Sequence, residues 1–176
     1  AEKHKRVVQV GTQQRSGPHY ARARELIQAG RIGQVMAVRM QSVRNIMPGF
    51  SRVADGPPPA GFDWEMFLGP APLRPYNRRI HPGGFRNYLD FANGTLGDWG
   101  VHWLDQMLWW SGEKWPKRVF CSGGRPVKGA PVLNDREQTS DAPDHQVATY
   151  EFENFTAVWE HRRFAGNETE KTSVGC

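Results

Sequence analysis

The stretch from Gly94 to Gly112, GTLGDWGVHWLDQMLWWSG, decides the fold of this chain. Its apolar residues recur at i, i+3, i+4 and i+7, a pattern that predicts a helix packed against a large surface. These residues are Leu96, Trp99, Gly100, Trp103, Leu104, Met107 and Trp110. The spacing of Thr95 and Asp98 predicts a capping box at the start, and Gly112 predicts the stop. The sequence therefore predicts one helix from Thr95 to Trp110 that covers a sheet.

A second stripe of the same helix carries Asp98 and His102, which are separated by four residues, so that their side chains can meet on a regular helix. One interpretation is structural: Asp98 is favoured by the positive end of the helix dipole, and His102 is a core histidine that it satisfies. The other is chemical: His102 exchanges a proton with a ligand, and Asp98 orients its imidazole. The spacing alone is a weak pattern and favours the structural interpretation.

The composition is that of an ordinary folded domain, with 176 residues, 38% of them hydrophobic and 23% charged. The formal net charge of +5 comes mostly from arginine, but no block of five basic residues occurs, so nucleic-acid binding is not indicated. No apolar run approaches the roughly 20 residues that span a bilayer, and AEKHKR is not a signal peptide. Cys121 and Cys176 form neither a disulfide framework nor a metal-ligand spacing, so we expect a reducing, cytoplasmic location.

Upstream of the central helix, the chain alternates between strand and helix patterns. Val7 to Val10 predicts a short buried strand, His19 to Ala29 a helix that follows Pro18, and residues 34–44 a long strand. Such an order begins an α/β or α+β architecture. Residues 45–61 contain ADGPPPAG and form a surface excursion, which either lines a binding site or is a harmless insertion.

Two segments before the central helix carry aromatic and polar side chains. DWEMFLGPAP predicts a short helix with Asp63 as its cap and Trp64, Phe67 and Leu68 as its anchors. Residues 75–91, PYNRRIHPGGFRNYLDF, are either part of a binding site or a solvated basic loop. The hydrogen-bonding side chains that favour a site are Arg78, Arg79, His81, Arg86 and Tyr88.

The C-terminal third predicts antiparallel sheet. Residues 117–121 predict a strand, and the polar residues 123–143 predict either a long connection or a frayed hairpin. Residues 146–153 and 155–164 alternate around the polar turn Glu153-Asn154, which predicts a hairpin. We expect these strands and residues 34–44 to form a sheet with the central helix on one face. The other face should be relatively open and apolar, and available for a partner subunit.

Three of these stretches, VVQVGTQQR, DWEMFLGPAP and GTLGDWGVHWLDQMLWW, together resemble the Gfo/Idh/MocA family of NAD(P)-dependent oxidoreductases, over nearly all 176 residues. The resemblance implies an α+β fold: an open, mostly antiparallel sheet with helices packed on one face, preceded by the last helix and strand of a Rossmann domain. Residues 1–15 would be the remnant of that dinucleotide-binding domain. Residues 16–176 would form the substrate and oligomerisation domain, incomplete at its C-terminus.

The resemblance also implies roles for individual residues. Asp98 and His102 match the family's D-x-x-x-H pair, with His102 as general base on a sugar hydroxyl and Asp98 as its orienting group. Arg15 matches an arginine in the loop after the last strand of the Rossmann side. The full set of expected substrate-binding residues is Arg15, Arg79, Arg86, Tyr88 and Trp99. Gln13 and Gln14 are the candidates for cofactor contact, and no metal site is expected.

The chain also departs from the family pattern, since it contains neither G-x-G-x-x-G nor the E-K-P segment. We therefore expect NAD or NADP to act in the full-length family, but not to bind well to this chain, which resembles a fragment cut at both ends and inactive alone. The leading hypothesis is the substrate domain of a sugar or polyol oxidoreductase that forms homo-oligomers. The alternatives are a non-catalytic binding or oligomerisation module, and an NAD-dependent glycosidase-like relative that acts through a 3-keto intermediate.

Overall fold

A computed structural model describes residues 1–43, 53–126 and 139–163, and the backbone of residues 174–175. One sheet forms its centre, with the strand order β2-β3-β4-β1-β5. The strands are β1 Ala37–Val43, β2 Arg118–Gly124, β3 His145–Glu151, β4 Thr156–Arg162 and β5 Val174–Gly175. The α-helices are α1 Pro18–Gln28, α2 Trp64–Leu68 and α3 Val101–Ser111. Short 3-10 helices span Glu2–His4, Gln13–Ser16 and Gly84–Asn87, and a π-helical turn, Leu96–Gly100, leads into α3.

The sheet confirms the predicted α+β class, because all its pairings are antiparallel except the parallel pairing of β1 with β4. The predicted hairpin is β3 and β4. Its turn is closed by Phe152 N, which donates to Phe155 O at 3.0 Å, and the two phenyl rings stack with centroids 4.6 Å apart. Strand β1 begins at Ala37 and is shorter than expected.

Helix α3 and the π turn cover one face of the sheet, as expected. The buried cluster joins Met107 of α3 to Met40, Ala148, Ala157 and Trp159 of the strands. The partly buried side chains against it include Leu96, Trp99, Trp103 and Leu104. Gly100 permits this close approach, since a Cβ there would lie 2.9 Å from Leu96 Cδ1 and 3.3 Å from the Trp159 ring.

The start of the central helix differs from the expectation. Thr95 makes no side-chain cap bond, so the predicted capping box is wrong, and a π turn occupies its place. The Asp98 carboxylate accepts a hydrogen bond from Arg86 instead of turning back to the backbone. The predicted end is confirmed: Gly112 adopts φ +78°, and its N–H donates to Leu108 O at 3.0 Å.

Helix α1 confirms the predicted helix, and its side chains satisfy the carbonyl groups at the end of α3. Arg24 Nε donates to Trp109 O at 3.2 Å, and Gln28 Nε2 donates to Trp110 O at 3.3 Å. In return, the Trp110 indole N–H donates to Tyr20 O at 3.3 Å. A cationic side chain near these carbonyls is also favoured by the negative end of the helix dipole.

A second, smaller core holds the segment before the central helix. Its buried members are Trp64, Leu68, Ile80 and Tyr88. Helix α2 is capped as predicted, because Asp63 Oδ1 accepts from Met66 N at 2.9 Å. The excursion and the long connection are only partly visible, since residues 44–52 and 127–138 lie outside the described residues, as do residues 164–173 beyond the hairpin.

The predicted strand at Val7 to Val10 is wrong. The structure assigns no strand there, and the side chain of Val7 is 99% exposed. A strand needs a neighbour for its backbone hydrogen bonds, and no strand pairs with this segment in the described parts of the chain. A β-branched run alone therefore does not produce a strand.

The face of the sheet away from α3 is not uniformly apolar. Phe120 is 57% exposed, and the register places it in one row with Thr149 and Val158. Charged pairs flank this row: Arg118 bonds Glu151 at 2.7 Å, and Arg162 lies 2.7 Å from Glu160. The expectation of an apolar face is therefore corrected to a mixed one.

Buried His161 makes stability depend on pH. Its Nδ1 accepts from Trp159 Nε1 at 3.2 Å, and burial lowers its pKa to about 4. The unfolded chain takes up this proton near pH 6.5, so stability from His161 is complete above that pH and is lost as the pH falls toward 4. At about 1.4 kcal/mol per pKa unit, the loss is about 3 kcal/mol.

Urea unfolding at pH 7 and pH 4 tests this prediction. Asparagine can also accept from Trp159, so His161→Asn is the matched variant, with the exposed His19→Asn as control. The native chain and His19→Asn should lose about 3 kcal/mol more on acidification than His161→Asn. Equal losses in all three proteins would contradict it.

Candidate functional site

A cavity of about 180 Å³ lies at the carboxyl ends of the parallel strands β1 and β4. This volume is well above the roughly 30 Å³ that one water molecule occupies in the liquid, so the cavity has room for a small molecule. Its walls come from β1, the end of β4, the π turn and the loop before the 3-10 helix. The lining residues are Ser42, Gly83, Arg86, Asn87, Gly94, Thr95, Asp98, Trp99, Arg162 and Arg163.

Glycines explain how the π turn reaches this position. Gly94 adopts φ +63°, and a Cβ there would lie 3.0 Å from Ala142 Cβ. At Gly97, a Cβ would lie 2.6 Å from Asn93 Cβ. The chain can therefore bend tightly into the turn that carries Asp98. π turns often occur at functional sites, because the widened backbone re-aims its side chains.

The opposite wall is also built on a tight backbone contact. A Cβ on Gly84 would lie 1.5 Å from Arg79 O, so only glycine fits there. The short 3-10 helix that follows presents Arg86 and Asn87 to the cavity. Asn87 O accepts from Asp141 N and Ala142 N, at 3.1 and 3.0 Å, which fixes this wall against the start of the hairpin.

Charge pairing connects the two walls. Arg86 Nε donates to Asp98 Oδ1 at 2.7 Å, and Arg86 Nη1 donates to Gly83 O at 3.3 Å. The same guanidinium lies 4.6 Å from the centre of the Phe85 ring. The loop thus holds the Asp98 carboxylate in place. The second carboxylate oxygen, Asp98 Oδ2, takes part in neither of these hydrogen bonds.

Arg163 is a half-buried cation of the site. Burial lowers the pKa of its guanidinium, while the Asp98 and Asp144 carboxylates act in the opposite direction. Its Nη1 donates to Asn87 Oδ1, and its backbone N donates to Asp144 O at 3.0 Å. A desolvated positive charge therefore lies beside the cavity with an amide oxygen as its side-chain partner.

Three of the residues predicted from the sequence meet here: Asp98, Trp99 and Arg86. His102 lies further along α3, is partly exposed, and does not line the cavity. The structure shows no hydrogen bond between Asp98 and His102. The π turn changes the spacing on which that pairing was expected, because residues four apart align only in a regular α-helix. The joint role of the two residues stays a prediction.

The other predicted site residues lie elsewhere. Both oxygens of Asp105 accept from Arg15, at 2.6 to 3.1 Å, and this pair raises the pKa of Arg15. Tyr88 is 3% exposed in the second core, where burial raises its pKa. Arg79 is partly buried on that side, and Gln13 and Gln14 belong to a 3-10 helix. None of these lines the cavity, and their binding roles stay predictions.

The sequence reasoning missed the contribution of β4. Arg162 and Arg163 line the cavity from its end, and Ser42 does so from β1. The available signal was the pair of arginines at the end of the alternating run FTAVWEHRRF. Asn87 and Thr95 were also missed, although both lie in segments that had been singled out.

A second, more open cavity of about 420 Å³ involves the described part of the surface excursion. It is lined by Val53, Ala54, Gly56, Pro57, Tyr76 and Arg78. Arg78, one of the polar side chains of the loop before the central helix, therefore lines a different cavity from Arg86. The excursion forms part of a concave surface there, which leaves both of its interpretations open.

The residues of the small cavity do not fit a dinucleotide. Drug-sized ligands occupy roughly 300 to 1,000 Å³, whereas this cavity measures about 180 Å³, and the chain has no glycine-rich phosphate turn. Among the described residues, no cluster of three His, Cys, Asp or Glu side chains could hold a metal ion. In the same residues, no helix has the length and apolar character needed to cross a membrane.

Comparison with known proteins identifies the family. Residues 21–121, more than half of the chain, match the Gfo/Idh/MocA profile described as "Oxidoreductase family, C-terminal alpha/beta domain". The chain belongs to the Gfo/Idh/MocA oxidoreductase family. The match includes most of α1 and all of the π turn and α3, which confirms the resemblance seen in the sequence. No curated protein sequence matches the chain significantly.

Solved structures share the fold of this Gfo/Idh/MocA domain. A super-repressor mutant of Gal80p from Saccharomyces cerevisiae is 12% identical over 99% of the chain, with a TM-score of 0.63. An oxidoreductase from Thermotoga maritima is 18% identical over 93%, with a TM-score of 0.54. An NAD-binding oxidoreductase from Klebsiella pneumoniae is 19% identical over 84%, with a TM-score of 0.51. The chain spans only 40%, 39% and 32% of these proteins, respectively.

Proposed function

We propose that this chain is the substrate-binding domain of an NAD(P)-dependent oxidoreductase that acts on a sugar or polyol. The observation that carries the proposal is the cavity at the ends of β1 and β4, where Asp98, Trp99 and Arg86 converge. Membership of an oxidoreductase family supplies the reaction class, and the similarity to an NAD-binding oxidoreductase supports the cofactor. Ligands commonly bind outside the carboxyl ends of neighbouring parallel strands.

The side chains of the cavity suit a polyhydroxy ligand. Trp99 offers a flat apolar surface, while Asp98 Oδ2 can accept from a hydroxyl group and Arg86 can donate to one. We propose His102 as the general base that removes the hydroxyl proton, because an imidazole titrates near neutral pH. The nicotinamide, which exchanges hydride with the carbon, would have to be held by residues outside this chain.

The test is a turnover assay in a polypeptide that joins this chain to a dinucleotide-binding domain. Absorbance of the reduced nicotinamide would be followed with NAD⁺ or NADP⁺ and a panel of sugars and polyols. We expect turnover in the joined protein and no binding of either dinucleotide by this chain alone in calorimetry. Stoichiometric dinucleotide binding by this chain alone, or no turnover with any member of the panel, would contradict the proposal.

A non-catalytic binding role is the second candidate, and one observation favours it. A protein described as a super-repressor mutant shares the fold over 99% of this chain, so the fold also serves in a regulatory protein. In that case the joined protein would bind sugars without turnover.

For either function, we propose that the mixed sheet face around Phe120 pairs with a second copy of the chain. A strict monomer in sedimentation at high concentration would contradict this proposal.

A further inference from the structure

Two arginines from different parts of the chain line the small cavity. Arg86 lies on the loop wall and Arg163 at the end of β4, whereas Asp98 is the one carboxylate among the lining residues that the structure describes. Arg162 also contributes to the wall, but its guanidinium lies 2.7 Å from Glu160, so that charge is already compensated. Asp98 in turn pairs with Arg86 at 2.7 Å, so the lining carries an excess of one positive charge, that of Arg163.

Both groups have donors left for a ligand. A guanidinium has five N–H donors. Arg86 uses two of them, one on Nε to Asp98 Oδ1 and one on Nη1 to Gly83 O. Arg163 directs one nitrogen to the neutral oxygen of Asn87. Asp98 and Asp144 lie near enough to favour its charged form, yet burial outweighs them. A ligand that brought a negative charge would offset this cost, and a neutral ligand would not.

We propose that the cavity binds a small polyhydroxy compound with an anionic group, in which Arg163 and Arg86 hold the anion and Asp98 and Trp99 hold the hydroxylated part. A carboxylate and a phosphate share this chemistry, because both accept paired N–H donors from arginine. A volume of about 180 Å³ has room for a single sugar or sugar acid. This inference rests on the proposed function for the identity of the ligand as a sugar.

Calorimetric titration of the chain with three probes tests the inference. D-glucuronate carries a carboxylate, D-glucose 6-phosphate carries a phosphate, and D-glucose is the neutral comparison. At least one anion should bind roughly tenfold or more tightly than glucose, the ratio expected for a charge-assisted hydrogen bond. The preference should shrink as the salt concentration rises from about 0.1 M to about 1 M. Over this range the Debye length, the distance over which salt screens charges, falls from roughly 10 Å to roughly 3 Å.

Substitutions then locate the anion. Arg163→Gln should abolish the preference, Arg86→Gln should reduce it, and Arg163→Lys should retain part of it. Arg22→Gln is the control, since Arg22 is exposed on α1 and bonds Glu25 outside the cavity. Thermal unfolding of each variant, followed by circular dichroism, verifies its fold. The inference is overturned if glucose binds as tightly as both anions, if neither anion binds at millimolar concentration, or if folded Arg163→Gln and Arg163→Lys keep the full preference.

The same experiment separates this inference from the proposed function. Binding of an anionic sugar by the chain, without turnover in the joined protein, would leave the anion site standing and contradict the oxidoreductase proposal. Turnover of neutral sugars with no preference for charged ones would support the oxidoreductase proposal and contradict the anion site.

Discussion

Replacing His102 with alanine is expected to lower kcat by roughly 100-fold or more in a polypeptide that also contains a dinucleotide-binding domain. The physical reason is that removal of a hydroxyl proton needs a base that is neutral near pH 7, and imidazole is that base. His102 is partly exposed in the first turn of α3, directly after the π turn that carries Asp98. The helix that carries His102 therefore continues directly from the π turn that lines the cavity.

The control for this prediction is His19→Ala, because His19 is an exposed histidine on α1 that does not line the cavity. Its kcat should match that of the unsubstituted protein. Urea unfolding of both variants separates a catalytic role from a structural one. An unchanged kcat for His102→Ala, or a loss of activity that follows a loss of folded protein, would return His102 to the structural interpretation.

The periodic spacing of apolar residues predicted those parts of the fold in which every third or fourth residue of a helix, or every second residue of a strand, is buried. The repeat of apolar residues from Leu96 to Trp110 located the helix over the sheet, and alternation located the hairpin of β3 and β4. Gly112 ended the helix as expected, since its left-handed conformation favours glycine. In each case the information lies within one turn or one strand, so a single sequence carries it.

Features that depend on distant partners could not be predicted in this way. The spacing of Asp98 and His102 assumed a regular α-helix, but the π turn and a bond to Arg86 set the position of Asp98. Val7 to Val10 has the composition of a strand, but none of the strands in the described residues pairs with it. The cavity itself depends on the parallel pairing of β1 with β4, which are separated by more than 100 residues and brought together only by the fold.

The site therefore follows from the sheet more than from any local motif. The parallel pair puts Ser42 and Arg163 at one edge, and the close packing of Gly100 on Trp159 brings the π turn to the same edge. A single side chain, Trp159, thus supports both the core and the element that carries Asp98. Loss of its volume should affect stability more than any other single truncation in this region.

Trp159→Ala is expected to lower the free energy of unfolding by roughly 3 to 5 kcal/mol, the usual cost of truncating a buried aromatic side chain. The Trp159 side chain is fully buried, packs under Gly100 and donates to His161 Nδ1 at 3.2 Å. Its removal would leave a cavity beneath the π turn and deprive His161 of a donor. Since domains of this size have a total stability of roughly 5 to 15 kcal/mol, this substitution would remove a large part of the free energy of unfolding.

Urea unfolding at pH 7 measures this loss, with Trp115→Ala as the matched control. Trp115 is 82% exposed, so the same truncation should change stability by less than about 0.5 kcal/mol. Trp159→Phe should fall between the two, because the phenyl ring restores much of the volume but not the N–H donor. Equal stabilities for Trp159→Ala and Trp115→Ala would show that the π turn does not depend on Trp159, and that the site is held by the loop with Arg86 alone.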